Sequence, residues 1–229
     1  MSYGAARRAL PGFLRRYLLD FESRIEAAVS EFAHSLPAGS RVLDAGAGEG
    51  AYREFFHSHR YCGVDLAIGD PSWNYGRLDT IADLTHLPFR DDSLDACLNI
   101  VTLEHVREPA QVLREIARVL KPGGALLLAV PHEWEVHQAP HDYFRFTRHG
   151  VEYLLSAAGF DRVAIRPAGG LFRLLSRRLL NALQFFRGVW FYAAALFLVP
   201  PALVLPVFDA LDRERIFTLG YVCTAKKSS

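Results

Sequence analysis

The run VLDAGAGEG at residues 42–50 constrains this chain more than any other feature, because an apolar segment passes directly into alternating glycines. Residues 41–45 have the composition of a short buried strand. Gly46, Gly48 and Gly50 allow a sharp turn and let a ligand approach the backbone without a Cβ in the way. We expect a helix to begin directly after this loop, with its free N–H groups facing the ligand.

Short apolar runs alternate with helical patterns after the loop. Val112, Leu113 and Ile116 lie on one face of a helix predicted at residues 109–120, which the sequence KPGG then ends. Strands separated by helices imply right-handed crossovers and a mostly parallel sheet covered on both faces. The predicted strands are residues 41–45, 61–66, 94–100, 125–130, 162–166 and 218–225.

Composition narrows the class of protein. The chain has 229 residues, enough for one α/β domain, and its formal net charge of +1 gives no reason to expect a nucleic-acid partner. Its three cysteines are scattered and form no CxxC pair, which favours a reducing cytoplasm. Arg15 and Arg16 interrupt the apolar pattern near the N-terminus, so we expect no signal peptide.

The glycine loop alone leaves alternatives open. Gly46, Gly48 and Ala51 also fit the GxGxxA dinucleotide fingerprint, which would indicate an NAD-type oxidoreductase. The same glycines are compatible with a tight turn that binds nothing. Asp65 follows the next predicted strand, at the chain distance from which an acidic residue reaches ribose hydroxyls.

The neighbouring motifs favour a methyl donor. The loop, with an acidic residue before its first glycine, is followed in order by IADL at 81–84, LEHV at 103–106 and VLKPGG at 119–124. Across residues 42–160 this series resembles the class I S-adenosylmethionine-dependent methyltransferase superfamily, especially its small-molecule subgroup with the quinone methyltransferases. The resemblance implies S-adenosylmethionine as cofactor. It also implies a Rossmann-like, doubly wound, seven-stranded, mostly parallel sheet with an antiparallel last strand.

The resemblance assigns roles around the loop. Gly46 and Gly48, with Ala45 beside them, would line the methionine end of the cofactor, and Asp44 would lie near its ammonium group. This cofactor carries an ammonium, a sulfonium and two ribose hydroxyls but no phosphate. An acidic pocket therefore suits this cofactor better than a dinucleotide, whose pyrophosphate is negatively charged.

The nucleoside end has its own implied residues. Asp65 would hold the ribose hydroxyls, and Asp83 would accept a hydrogen bond from the adenine amino group with Leu84 against the ring. The alternative for Asp83 is a carboxylate that only stabilises a turn. The other predicted pocket residues are Leu66, Asn99 and Ile100.

Residues 131–147 (PHEWEVHQAPHDYFRFT) follow a predicted strand at the sheet edge where such folds bind ligands. Methyl transfer mainly requires alignment, but a hydroxyl acceptor must also lose its proton. His141 with Asp142, and His105 in LEHV, are the candidate general bases; the alternative is that His141 and Asp142 only cap the next helix. The candidates for substrate contact are His137, Tyr143 and Arg145.

Two further interpretations concern this segment. Arg145 suits a substrate phosphate or carboxylate, and it suits a structural ion pair equally well. His132, His137 and His141 match no defined zinc signature, so the sequence predicts no metal site. The DYFRFT run resembles one found in bacterial methyltransferases of polysaccharide and cell-envelope gene clusters.

An apolar insertion precedes the last predicted strand. Residues 171–187 form an amphipathic pattern with Arg173, Arg177 and Arg187 along one side, as in a helix that lies at a membrane interface. Residues 188–208 carry no charge and are long enough to span a bilayer, but prolines at 200, 201 and 206 divide them. Since the last strand must return to the sheet, we expect a re-entrant or surface-lying helical hairpin. The alternative is a hydrophobic lid or a dimer face in a soluble protein.

These patterns divide the chain into an amphipathic helical segment (1–36), a cofactor domain (37–167 with 211–226) and the insertion (168–210). The predicted function is O-methylation of a small-molecule acceptor, such as a lipid-linked glycan or another hydrophobic molecule. The predicted location is the cytoplasmic face of a membrane, contacted through residues 171–208. The alternatives are an NAD-type oxidoreductase and a non-catalytic, membrane-associated protein that binds the methyl donor.

Overall fold

The computed structural model describes residues 12–70 and 72–229. Seven strands form one sheet: β1 (Arg41–Ala45), β2 (Arg60–Asp65), β3 (Thr80–Ile81), β4 (Leu94–Ile100), β5 (Leu120–Pro131), β6 (Phe160–Ala168) and β7 (Gly220–Lys227). Their order across the sheet is β3-β2-β1-β4-β5-β7-β6. The chain reverses its winding direction between β1 and β4, which is where open α/β sheets bind ligands.

The sheet is mostly parallel, and its last strand is antiparallel. β1 pairs in parallel with both β2 and β4, and β3 and β5 continue the parallel pairing outward. Leu219 N donates to Ala168 O and Ser228 N donates to Gly159 O, so each end of β7 meets the opposite end of β6. The predicted fold class is therefore confirmed.

Six α-helices lie in the described residues: α1 (Gly12–Leu18), α2 (Asp20–Ser35), α3 (Pro109–Val119), α4 (Arg148–Ala157), α5 (Leu171–Ala182) and α6 (Val189–Val204). α3 buries Val112, Leu113 and Ile116 as its periodicity predicts. The amphipathic helical segment predicted at 1–36 contains two helices in its described part, because the helical conformation is interrupted at Leu19. The part of that prediction before residue 12, including Arg7 and Arg8, lies outside the described residues.

The connection after β1 corrects the sequence-based expectation of a helix. Residues 46–59, all of them described, contain only turns and a one-turn 3-10 helix at Arg53–Phe55. Gly46, Gly48 and Gly50 have positive φ, so an α-helix could begin only after residue 50, where the residues up to 59 form a single 3-10 turn. Strand β3 was also not predicted, because its two residues are too few to show an alternating pattern.

The core lies on β1, β4 and β5. Val42, Leu43 and Ala45 of β1 are completely buried, and β4 and β5 contribute further buried aliphatic side chains. Burying each such side chain stabilises the fold by about 1.5–3 kcal/mol before conformational entropy is subtracted. The near-continuous apolar character of these strands is that of parallel strands covered on both faces.

The chain forms two compact units. One contains Ile25–Arg166 with Tyr221–Ser229, and it holds most of the sheet. The other contains the described residues up to Arg24 together with Pro167–Gly220. The structure therefore groups the start of the chain with the insertion, whereas the sequence suggested a separate N-terminal segment ending at residue 36.

The insertion is a helical hairpin of α5 and α6. The helices run antiparallel, since Ser176 Oγ donates to Ala202 O at 2.6 Å and the ring of Phe172 packs on Phe208. α6 continues through Pro200 and Pro201, so the expected division at these prolines is wrong. A 3-10 helix, Leu205–Leu211, follows it and contains Pro206.

The basic face predicted on α5 is largely neutralised. The Arg173 guanidinium lies 3.4 Å from both Asp20 and Asp209, and Arg177 lies 3.0 Å from Glu22. These arginines hold the two parts of their unit together, which leaves them less available to lipid headgroups than the sequence indicated.

We predict that Ser176→Ala lowers the free energy of unfolding by about 1 kcal/mol, because it removes the donor to a buried carbonyl. In a continued α-helix residue 206 would donate to Ala202 O, but proline has no N–H. Pro206→Ala supplies that N–H, so the loss from Ser176→Ala should shrink in its background. Chemical denaturation of the four proteins of this double-mutant cycle measures the coupling, and equal losses in both backgrounds would contradict the explanation.

Candidate active site

The glycine loop is held by β2. Gly46 N and Ala47 N both donate to Val64 O, at 2.8 and 3.0 Å, and Gly48 N donates to Asp65 Oδ2 at 3.0 Å. Gly46, Gly48 and Gly50 have φ of 92°, 52° and 71°, a region that side chains with a Cβ rarely adopt. The loop is therefore a preformed turn, fixed through backbone amides at the carboxyl end of β1.

Thr102 closes the other side of the loop. Its Oγ1 donates to Gly46 O at 3.3 Å and to Ile100 O at 3.0 Å. A Cβ on Gly46 would lie 2.2 Å from Thr102 Cγ2, closer than any side chain tolerates. Glycine is thus required at position 46 by both its conformation and this contact.

Asp44 is a carboxylate buried at the base of the loop. Its side chain is 1% exposed, and Tyr61 OH donates to Oδ2 at 2.5 Å. The other oxygen, Oδ1, accepts no hydrogen bond from the described part of the chain. Burial raises the pKa of Asp44 to about 7, despite the opposing effect of the Tyr61 hydrogen bond. A cation near this carboxyl would therefore be bound strongly, since it would compensate a charge that burial disfavours.

The other two acidic candidates lie at the end of β2 and just after β3. Asp65 accepts from Ala67 N at 2.8 Å as well as from Gly48 N, so it stabilises the loop and the next turn. Asp83 is exposed, and one of its oxygens accepts from the N and Oγ1 of Thr85, which lowers the pKa of this carboxyl. Asp83 therefore does stabilise a turn, which was the alternative given for it. Its second carboxylate oxygen takes no part in these two hydrogen bonds.

The remaining predicted pocket residues divide into exposed and buried ones. Leu66 is 42% exposed, beside Asp65. Asn99 is fully buried and donates from Nδ2 to Ala45 O at 2.8 Å, so it joins β4 to the end of β1. Leu84 and Ile100 retain only 4% and 7% of their surface, which limits what either could offer to an adenine ring.

Asp142 and Arg145 form a structural ion pair. The guanidinium donates to both oxygens of Asp142, at 2.6 and 2.8 Å, and to the carbonyls of Trp134, Glu135 and Phe144. These contacts match the five N–H groups of the side chain. Arg145 holds the pKa of Asp142 at about 2, which makes this carboxylate a poor proton acceptor. The structure thus favours the ion-pair alternative over a substrate contact for Arg145 and over a general base for Asp142.

The structure brings His105 and His137 together. His105 Nε2 lies 3.1 Å from His137 Nε2, and His105 Nδ1 lies 2.6 Å from the carbonyl of His141. Burial lowers the pKa of His105. The His141 ring itself contacts Tyr143 OH, which also accepts from Arg107 Nε. His105 is therefore the better placed of the two predicted bases, since its ring is half-buried within this cluster.

Glu104 is the residue that the sequence interpretation missed. It belongs to the 3-10 helix Leu103–His105, it is completely buried, and neither carboxylate oxygen accepts a hydrogen bond from another described residue. Burial raises its pKa to about 8. Its place in LEHV beside a histidine was a possible signal, but nothing in the sequence shows that the side chain points inward.

Two features of the loop resemble the cofactor end of class I S-adenosylmethionine-dependent methyltransferases: a buried acidic residue lies at the glycine turn, and a second acidic residue holds that turn from β2. Residues 43–128 match the family model described as a methyltransferase domain. The match identifies a methyltransferase domain within the chain, and S-adenosylmethionine is the cofactor of such domains.

The relatives are named as methyltransferases that act on different substrates, and the solved structures share the fold. The chain is 34% identical over 115 residues to the tRNA (carboxymethyluridine(34)-5-O)-methyltransferase of Arabidopsis thaliana, a match covering 48% of this chain and 28% of that protein. It is 38% identical over 106 residues to the demethylmenaquinone methyltransferase of Paenarthrobacter aurescens, covering 42% and 41%. The fold matches Haemonchus contortus phosphoethanolamine N-methyltransferase 2, solved with S-adenosylmethionine, at a TM-score of 0.58 and 18% identity over 89% of this chain and 52% of that one. The chain thus spans less than half the length of either relative.

We predict that Gly46→Ala costs more stability than the same change at Gly159. Both glycines have positive φ, 92° and 87°, so each substitution costs about 1–2 kcal/mol in backbone strain. At Gly159 a Cβ meets nothing within 4 Å, whereas at Gly46 it collides with Thr102. We expect the collision to add about 2 kcal/mol or more in chemical denaturation, and equal losses in the two variants would show that the loop can move away from Thr102.

Proposed function

We propose that this protein transfers the methyl group of S-adenosylmethionine to a small, hydrophobic or lipid-linked acceptor at a membrane surface. The observation that carries the proposal is Asp44, a buried carboxyl with an unsatisfied oxygen and a pKa of about 7 at the base of the glycine loop. Such a group favours a cationic ligand, and this cofactor has both an ammonium and a sulfonium.

The residues around the loop fit the cofactor. Asp44 would bind the ammonium, and the backbone of Gly46 and Gly48 would line the methionine end. Asp65 would accept from the ribose hydroxyls, and the free oxygen of Asp83 would accept from the adenine amino group. When bound, the cofactor supplies an electrophilic methyl group, and the protein aligns the acceptor with it.

The structure argues against the dinucleotide alternative. A pyrophosphate is normally held at the N-terminus of a helix that follows the glycine loop. Residues 46–59 form turns and a single 3-10 turn instead. The carboxyls of Asp44, Asp65 and Asp83 would also repel a pyrophosphate, so calorimetry should detect binding of S-adenosylhomocysteine and none of NAD.

The acceptor is proposed from the chain's own surface. A hydroxyl acceptor must lose a proton, and His105, in the half-buried cluster that follows Thr102, is the candidate to take it. The relative that acts on demethylmenaquinone supports a hydrophobic acceptor, whereas the relative that acts on tRNA supports a competing one. The net charge of +1 offers no general attraction to a polyanion.

The membrane contact is proposed from α6 and the 3-10 helix after it. Val189–Leu211 is the one helical segment among the described residues that is long and apolar enough to cross a membrane, and only 11% of its most apolar window is buried. Trp190, Tyr192 and Phe197 are 70%, 74% and 75% exposed. An exposed apolar surface of this kind is typical of membrane or protein contacts, and its aromatic residues suit the headgroup region.

We predict that binding of S-adenosylhomocysteine strengthens about tenfold between pH 6 and pH 8. Its ammonium binds the ionised form of Asp44, and a pKa of about 7 leaves this form scarce at pH 6. Asp44→Asn should bind weakly and without this pH dependence. Asp70→Asn, a change at an exposed carboxylate bonded to Ser72, is the control. Calorimetry measures each affinity, and an equal wild-type affinity at both pH values would contradict the assignment of Asp44.

We predict that the full-length protein floats with liposomes containing anionic lipid. Replacing Trp190 and Phe197 by serine should abolish flotation, because both side chains are exposed on α6. Tyr153→Ser is a matched control, since that tyrosine is 72% exposed in the other compact unit. A wild-type protein that stays entirely in the soluble fraction would refute the membrane half of the proposal.

The acceptor itself is identified by turnover. We expect release of S-adenosylhomocysteine, with addition of one CH₂ to the acceptor by mass spectrometry, when the protein is incubated with lipid-linked glycans or demethylated quinones. Methylation of tRNA alone would refute the lipid acceptor. Cofactor binding without turnover on any of these acceptors would favour the non-catalytic alternative.

A further inference from the structure

Three potential metal ligands meet beside the glycine loop. Glu104 and His105 lie on the 3-10 helix that directly follows Thr102, and His137 lies in the connection after β5. One carboxylate oxygen and one ring nitrogen of each histidine all lie within 4.8 Å of one another. The connection is fixed to the 3-10 helix, since Tyr143 N donates to Glu104 O at 2.9 Å.

The hydrogen bonds of the two imidazoles fix their tautomers. His105 Nδ1 lies 2.6 Å from His141 O, and His137 Nδ1 lies 3.1 Å from Glu135 O and 3.5 Å from Asp142 Oδ2. Carbonyl and carboxylate oxygens only accept, so each Nδ1 carries the hydrogen. In neutral imidazoles both Nε2 atoms then present lone pairs to each other, 3.1 Å apart. This arrangement requires a cation between them, either a proton or a metal ion.

Glu104 supplies the opposite charge. Its carboxyl is completely buried and receives no hydrogen bond from another described residue, and Oε1 lies 3.7 Å from His105 Nε2. An uncompensated buried carboxylate is costly, and it persists in folded proteins mainly where it is paired or coordinates a metal. A proton shared by the two histidines offers Glu104 only a distant charge, whereas a divalent ion offers it a direct bond.

We infer that Glu104, His105 and His137 bind a divalent transition-metal ion of the zinc type. Two Nε2 ligands on a tetrahedral ion at ordinary zinc–nitrogen distances lie about 3.3 Å apart, close to the observed separation. Nδ1–H groups that donate to carbonyl oxygens are the usual second shell of metal-binding histidines. Two histidines and one carboxylate form a ligand set used by zinc hydrolases and by non-haem iron enzymes.

An ion with three protein ligands keeps a coordination position open. Thr102, two residues before Glu104, contacts the glycine loop, so this open position would lie next to the cofactor end of the site. A hydroxyl acceptor bound there would become more acidic, because a metal ion lowers the pKa of an oxygen ligand. With its Nε2 on the ion, His105 would be a ligand and the ion would take over its proposed role in removing the acceptor proton. The ion binding itself goes beyond the proposed methyl transfer and does not depend on it.

The test uses the full-length protein, stripped with a chelator and titrated with Zn²⁺ or Co²⁺ alone. We expect one equivalent to bind, with a Co²⁺ absorption spectrum of imidazole coordination and a Zn²⁺-dependent rise in melting temperature. Glu104→Gln and His137→Asn should each weaken binding by more than about 100-fold, since losing a ligand costs more than the 10–100-fold typical of a second-shell loss. His132→Asn, in the same segment but with its Nδ1 on Phe146 O, should bind normally.

Glu104→Gln also separates ion binding from folding. It replaces a buried carboxyl that receives no hydrogen bond from another described residue by an amide of similar size, so the stripped variant should be at least as stable as the stripped wild type. Absence of binding by the wild type would overturn the inference and leave a shared proton between the histidines. Binding that survives both Glu104→Gln and His137→Asn would place the ion elsewhere and overturn it too. Neither result requires methyl transfer to be measured, so the proposed function would stand or fall separately.

Discussion

The turn at the end of β1 is the constraint on which the site depends. β1 is hydrogen-bonded on both sides, to β2 and β4, and its side chains are buried, so the chain must leave the sheet abruptly at residue 46. β2 then fixes the loop through three amides, and Thr102 fixes it from the end of β4. Because the loop is held from both neighbouring strands, the backbone that would meet the cofactor is arranged before any ligand binds. Such preorganisation reduces the entropy lost on binding.

Two buried carboxyls are central to the proposed binding of the cofactor and of a metal ion. Asp44 lies below the loop, and Glu104 lies two residues beyond the threonine that closes it, and burial raises the pKa of both. Burial disfavours the charged form of both groups, and strongly raised pKa values of this kind cluster at functional sites, which is why both carry proposals of ligand binding. Asp142 is the contrast within the same compact unit, since five N–H groups of Arg145 are committed to it and to carbonyls around it. Its lowered pKa therefore reports a structural pair.

The insertion follows a different balance of forces. Polar side chains hold its hairpin where prolines and helix ends leave backbone groups without a helical partner. Ser176 donates to Ala202 O, and Asp212 accepts from Leu171 N. Arg173 and Arg177 form ion pairs with acidic residues of the same unit, while much of the apolar surface of α6 is exposed. The exposed aromatic side chains of α6 are the basis of the proposed membrane contact.

The sequence by itself determined the sheet, its central motif and the class of cofactor. Local patterns are enough for these, because the apolar runs, the glycines and the acidic residue before them can be recognised within short stretches of the sequence. The prediction of a helix after the glycine loop was wrong, since this segment forms turns and one 3-10 turn, and β3 was missed because two residues show no alternating pattern. Only the tertiary structure shows which histidines lie together. Spacing within residues 131–147 suggested no metal site, but one of those histidines meets His105 and Glu104 from a segment about thirty residues earlier. Contacts between distant segments depend on how β4 and β5 pair. They also depend on the direction in which the 3-10 helix Leu103–His105 points the side chain of Glu104. The hydrophobic periodicity of the sequence predicts neither of these.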